Sequence, residues 1–111
     1  MSVNNTCNTT IDKHIDAILD ELITLRHDIH AHPELGYKEN RTSKVIQDFL
    51  EEIDVPFKSG LAKGTGVLAH IAGKGNKAIG LRADIDALPI VEENSFDWKS
   101  VHASSSNASS L

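Results

Sequence analysis

Leu81-Arg82-Ala83-Asp84-Ile85-Asp86-Ala87-Leu88-Pro89 is the stretch that decides the fold. With Ala78-Ile79-Gly80 before it, it reads as a strand over 78–83, apolar up to Arg82 and so buried on both faces. The strand runs into a loop that holds two acids and is closed by Pro89. In α/β proteins, sites are built in the loops that follow such strands. Asp84 and Asp86 are therefore the candidate site residues. Further on, the chain reaches Val101-His102-Ala103 and changes character. Residues 104–111, Ser-Ser-Ser-Asn-Ala-Ser-Ser-Leu, are low-complexity and expected to be disordered.

Before the decisive strand lie the turn Gly73-Lys74-Gly75-Asn76 and the β-like run Gly66 to Ala72. A turn of that composition joins antiparallel strands. Gly60 to Gly66 is a glycine-punctuated turn, and Val55 to Lys58 a short strand before it. The N-terminal half has a different period. Ile11, Ile15, Ile18, Leu19, Leu22, Leu25 and Ile29 fall on one helical stripe, which predicts a helix over 11–31 with Thr10 as N-cap. Pro33 ends it, because a residue before proline avoids the α region. Val45, Ile46, Phe49, Leu50 and Ile53 predict a second helix over 41–53. Residues 1–9 are polar and expected to be disordered. The expected order is two helices, then three strands, then a loop, with no internal repeat.

Bulk properties exclude several classes. At 111 residues the chain is one small domain at most. A chain of this size buries roughly two-thirds of its unfolded surface. Net charge is −5, with no Lys/Arg run, which argues against a nucleic-acid surface. No apolar run approaches the ~20 residues of a membrane span, and the N-terminus lacks the basic and apolar regions of a signal peptide. Cys7 is the single cysteine and has no partner for an internal disulfide. The chain thus reads as intracellular and cytoplasmic.

Leu25-Arg26-His27-Asp28-Ile29-His30-Ala31-His32-Pro33-Glu34-Leu35-Gly36, then Glu39-Asn40-Arg41-Thr42-Ser43, then Gly64-Thr65-Gly66-Val67, and finally 78–90 form an ordered set of blocks. Together they resemble the N-terminal segment of the M20-type metallopeptidase superfamily. The closest branch is the amidohydrolases acting on N-acyl amino acids, among them hippurate hydrolase, aminoacylase-like enzymes and N-acetyl-diaminopimelate deacetylase. The resemblance covers about residues 11–103. It implies an incomplete α/β catalytic domain over 10–103, preceded by a disordered 1–9 and followed by a non-homologous tail over 104–111. It also implies that a complete enzyme binds two divalent metal ions, zinc or manganese, acts on a small-molecule N-acyl amino acid and forms a homodimer. There the metals lower the pKa of a bound water and stabilise the oxyanion, and a glutamate relays the proton.

In that family a block like His-Ala-Cys-Gly-His-Asp-Gly-His follows the acidic loop and holds metal. Here His102-Ala103 match its first two residues, but Ser104 stands where the cysteine would be and no histidine follows. A serine hydroxyl is a poor zinc ligand beside a thiolate. The chain is therefore expected to retain no metal site and to be inactive, as a frameshift or a truncated gene copy would leave it. By the resemblance, Asp86 corresponds to an aspartate that orients a metal-binding histidine; its other reading is a cap for its own loop. In this chain the capping reading is the stronger one. Asp84 stands where that histidine would be.

Two further patterns have alternatives. His27, His30 and His32 surround a helix end, and the i, i+3 spacing suits a transition metal; packing at the helix end is the competing and stronger reading. Gly64-Thr65-Gly66 lacks the lysine and spacing of a phosphate loop and reads as a tight turn. The sequence thus predicts a segment of a metal-dependent amidohydrolase. The alternatives are a non-catalytic binding or interaction module, and a small metal-binding module using His30 and His32. The apolar helix stripe and the strand at 78–83 would be partly uncovered, an aggregation liability.

Overall fold

The computed structural model describes residues 2–101, with side chains from Thr10 onward. Helix α1 spans Ser2–Ala31 and helix α2 Asn40–Glu52. Strands β1 (Phe57–Leu61) and β2 (Gly66–Ala69) follow, joined by a 3-10 turn at Ala62–Gly64. The arrangement is an α/β segment.

Helix α1 begins earlier than the sequence suggested. Residues 2–9 continue it instead of forming an irregular lead, so Thr10 lies inside the helix and is not its N-cap. No proline or glycine between positions 2 and 10 interrupts the backbone ladder. At the other end Pro33 stops it as expected, with His32 N–H reaching back to the Ile29 carbonyl at 3.2 Å. The end of α2 is a Schellman turn. Asp54 takes a left-handed φ of 57°. Its N–H bonds the Glu51 carbonyl at 3.1 Å, and Val55 N–H bonds the Leu50 carbonyl at 2.9 Å.

The β1–β2 pair is antiparallel, in the register Phe57 with Ala69 and Lys58 with Leu68, and with a bulge before Leu61 meets Gly66. His70 N–H extends the ladder by bonding the Pro56 carbonyl at 3.0 Å. The bulge explains why β1 runs to Leu61, where the sequence suggested a turn from Gly60. The reversal lies at Ala62–Gly64, with left-handed φ values at Ala62, Lys63 and Gly64. The turn at Gly73–Asn76 therefore does not join two strands.

The third expected strand does not form: residues 77–88 are irregular. Ile79 is 92% and Leu81 97% exposed. A strand is stable only when neighbouring backbones satisfy its N–H and C=O groups, and no strand among the described residues pairs with 78–83. The apolar pattern that marks a buried strand is present without the sheet that would bury it.

Among the described residues the apolar core is small, Ala31 and Leu35. The other buried side chains are polar: Glu39, Thr42, Ser43 and Thr65. The best-packed part of the chain is thus the junction between α1 and α2, where Thr65 Oγ1 donates to Glu39 Oε2 at 3.3 Å and ties in the hairpin. No helix among the described residues is long and apolar enough to cross a membrane.

Candidate functional site

The junction is organised by Glu34. Its Oε2 accepts the Arg41 N–H at 2.9 Å. Its Oε1 accepts the Thr42 N–H at 2.6 Å and the Thr42 hydroxyl at 2.7 Å. Two free amides at the start of α2 are thereby satisfied by a residue upstream of the helix, and Glu39 at the cap position makes no side-chain capping bond. Burial pushes the Glu34 carboxyl up, but the Thr42 and Arg41 amides, the Thr42 hydroxyl and the Arg41 charge outweigh it and hold the carboxyl below its usual range. Arg41 also reaches back to α1, with Nη2 at 2.8 and 2.9 Å from the two Asp28 carboxylate oxygens.

The acidic loop is fastened to the same junction. Ala87 N–H donates to the Glu34 carbonyl at 2.7 Å. Asp86 lies beside Gly36, with Oδ2 3.7 Å from where a β-carbon on that glycine would sit. Its carboxylate makes no hydrogen bond to any described residue. Asp84 pairs with Arg82 at 2.8 Å, with both side chains largely exposed.

Residues 92–101 fold back over the end of α1. Val101 N–H bonds the Ala31 carbonyl at 2.8 Å. Glu92 receives His30 Nε2 at 2.9 Å on each oxygen, the Ser100 amide at 2.8 Å and Asn94 Nδ2 at 3.2 Å. The Ser100 amide first, and then His30, hold the Glu92 carboxyl down to about 2. Trp98 stacks on His27 at 4.1 Å between centroids and on Phe96 at 4.1 Å, with His30 edge-on at 5.1 Å.

These contacts enclose a cleft of about 680 Å³. Glu34, Asp84, Asp86, Glu92 and His30 supply its polar wall, and Ile29, Ile46, Ile85, Leu88 and Ile90 its apolar one. The structure thus brings Asp84 and Asp86 to one cleft, and adds Glu34 and Glu92, which the sequence did not single out. The one signal for Glu34 was its place after His32-Pro33, just before a helix. Glu92 carried no signal, because its link to α1 runs through His30, 62 residues away.

The three clustered histidines do not converge. His27 stacks on Trp98, His30 bonds Glu92, and His32 Nδ1 lies 2.8 Å from the Asp28 carbonyl oxygen. Among the described residues no group of three His, Cys, Asp or Glu side chains is arranged to hold a metal ion. His102, the start of the expected ligand block, and the tail at 104–111 lie outside the described residues. Residues 10–101 therefore do not by themselves fit a two-metal centre.

No protein-family model matches the chain. An uncharacterized hydrolase of Staphylococcus epidermidis is 47% identical over 81 residues, 72% of this chain and 21% of that protein. N-acetyldiaminopimelate deacetylase of Listeria innocua is 39% identical over 92 residues, 82% of this chain and 25% of that protein. Among solved structures, the YXEP protein of Bacillus subtilis, a dinuclear metal binding peptidase from the M20 family, superposes with a TM-score of 0.73 at 39% identity. That match covers 80% of this chain and 25% of the other. The chain spans about a quarter of the length of the relatives it matches. Sequence and backbone agree over most of these 111 residues, and the chain belongs to the M20-type hydrolases as a segment of their fold.

Proposed function

We propose that this chain supplies one wall of an M20-type catalytic unit, whose complete form hydrolyses the amide bond of an N-acyl amino acid. The observation that carries this reading is the Ala87 to Glu34 bond. It fixes the Asp84–Asp86 loop against the α1–α2 junction, where the Asp86 carboxylate makes no hydrogen bond to a described residue. In the complete unit Asp86 orients a metal-binding histidine supplied from elsewhere, and two divalent ions, zinc or manganese, supply the Lewis acidity. The apolar wall of the cleft suits an acyl group. Ser104 stands where the family's ligand cysteine would be and no histidine follows it, which supports a chain that by itself does not turn over substrate.

Two assays test this. The purified chain, incubated with zinc or manganese and an N-acetyl or N-benzoyl amino acid, is expected to release no free amino acid; metal-dependent turnover overturns the inactivity. Residues 11–101 are also exchanged for the matching quarter of the Bacillus dinuclear relative. A folded, metal-loaded hybrid that hydrolyses such substrates supports the reading, and a folded, loaded but dead hybrid overturns it. The uncovered apolar stripe of α1 favours a second reading, an interaction module.

A further inference from the structure

Residues 92–101 close one end of the cleft, where Glu92, Asn94 and Ser100 form its wall. Besides the backbone bond from Val101 to Ala31, two α1 side chains one turn apart hold this segment. His27 lies flat on the Trp98 ring, 4.1 Å between centroids and at 9°, and Phe96 stacks on the same ring at 11°. His30 Nε2 sits 2.9 Å from both Glu92 oxygens, and its ring meets Trp98 edge-on. All of these contacts are made within the chain. Both holding groups are imidazoles, the side chain that changes charge between pH 5 and 8.

We propose that residues 92–101 form a pH-sensitive strap, fastened over the end of α1 when His27 and His30 are protonated and loosened as pH rises through the histidine range. The proposal stands independently of the hydrolase reading. Three effects favour the charged form in the fastened state. Protonation of His30 makes its bond to Glu92 charge-assisted at both ends, and charge-assisted bonds are about twice as strong as neutral ones. Protonation of His27 adds a cation–π attraction to Trp98. His30 also lies in the last turn of α1, where the helix dipole favours a cation. The Glu92 carboxyl, held down to about 2, is ionised across the whole histidine range. The His30 side chain is 45% exposed, so it exchanges its proton with water while the strap is fastened. Surrounding charges mostly agree with this direction. Glu34, Asp84 and Asp86 share the cleft wall with His30. On α1, His32 lies on Asp28, which Arg41 holds. On the strap, Glu93, Asp97 and Lys99 are exposed. Arg26 opposes, with Nη2 3.3 Å from His27 Nε2, but it is exposed and water screens its charge. The fastened state is therefore complete on the acid side of the histidine range and weakens above it. The Ser100 amide bond to Glu92 needs no histidine charge, so the strap loosens without being lost.

Hydrogen exchange of the 111-residue chain, followed by NMR from pH 5 to pH 8, tests this. Protection factors, which divide out the intrinsic pH dependence of exchange, are read at the Ser100 and Val101 amides. The Val55 amide, bonded to the Leu50 carbonyl, reports opening of the chain elsewhere. The Ser100 and Val101 factors should fall about tenfold across the histidine range, while that of Val55 stays level. His30→Gln keeps a donor for Glu92 and His27→Phe keeps a ring on Trp98, and neither replacement titrates. The double variant should give a flat profile. A flat wild-type profile overturns the proposal. So does a parallel fall at Val55, which is opening of the whole chain, or a tenfold fall that survives in the double variant, which assigns the effect to other groups. Each single variant should lessen the fall, and a full tenfold fall in both overturns the proposal even where the double variant does not fold.

Discussion

Glu34 caps a helix that begins six residues after it, and its bond to Thr42 is the shortest of the set: Oε1 lies 2.6 Å from the Thr42 amide and 2.7 Å from the Thr42 hydroxyl. One carboxylate thereby satisfies two helix-start amides and a buried hydroxyl, and its charge sits at the positive end of the α2 dipole. Its own carbonyl holds the acidic loop through Ala87. The α2 cap and the position of the loop are therefore set by the same residue.

Glu34→Ala should destabilise the chain by about 1–3 kcal/mol, the cost of losing a cap and leaving Thr42 unpaired. The effect should depend on pH. The folded carboxyl titrates below its usual 4.5. Its stabilisation is therefore fully present above the unfolded value and lost as pH falls through the lower, folded one. Urea midpoints of wild type and variant should differ at neutral pH and converge in acid. A gap that persists in acid would show that the carboxylate charge is not what matters.

Glu92 is the second acid with a structural task. With its carboxyl held down to about 2 by the Ser100 amide, His30 and Asn94, it stays ionised through ordinary acid. Its folded value is depressed, so its contribution is complete above the usual carboxylate range and fades as pH drops toward 2. Glu92→Gln should free residues 92–101 from α1 at neutral pH. The single tryptophan, Trp98, is the reporter. Acrylamide quenching should rise, and the Val101 amide should lose protection from hydrogen exchange. Unchanged quenching would mean that the Trp98 stack holds the segment without Glu92.

The sequence carried the helices well, because their apolar spacing and Pro33 act locally. The hairpin was half legible: the glycines at 60, 64 and 66 mark a reversal, but the bulge that fixes its place depends on pairing between strands. The strand at 78–83 was legible as a pattern and failed as a structure. Ile79 and Leu81 record what the run is suited to, whereas forming a strand requires partner backbones that the described residues do not offer. Asp84 and Asp86 could be found because acids after an apolar run are conspicuous. Apart from Asn94 beside Glu92, the partners of Glu34 and Glu92 lie seven to 62 residues away, a relation no local pattern shows.

Gly66 is a sensitive point in the hairpin. A β-carbon there would lie 3.0 Å from the Leu61 carbonyl carbon and 3.1 Å from the Ala62 β-carbon. Backbone on one side leaves little room to yield. Gly66→Val should cost about 1–3 kcal/mol by overpacking. It should also weaken the link between Thr65 and Glu39, since Thr65 is the adjacent residue. Thermal melts and the exchange rate of the Leu68 amide would check both. A melt within a degree of wild type would mean that the bulge absorbs the extra carbon.

Asp86 and Asp84 share a loop but should separate when tested. Asp86 has no hydrogen bond to a described residue, and Asp84 has only an exposed pair with Arg82. Neither holds the chain together, since exposed pairs contribute little. Asp86→Ala and Asp84→Ala should each change the stability of the 111-residue chain by less than about 0.5 kcal/mol. In the hybrid with the Bacillus relative the two should diverge. If Asp86 orients a metal-binding histidine, Asp86→Ala should lower metal affinity or activity by about 10–100-fold, the usual cost of losing such a partner. Asp86→Asn, which keeps an acceptor but not the charge, should fall between that variant and wild type. Competitive chelation measures the affinity separately from turnover. A hybrid whose metal affinity and activity are both indifferent to Asp86→Ala would assign the residue to the loop alone.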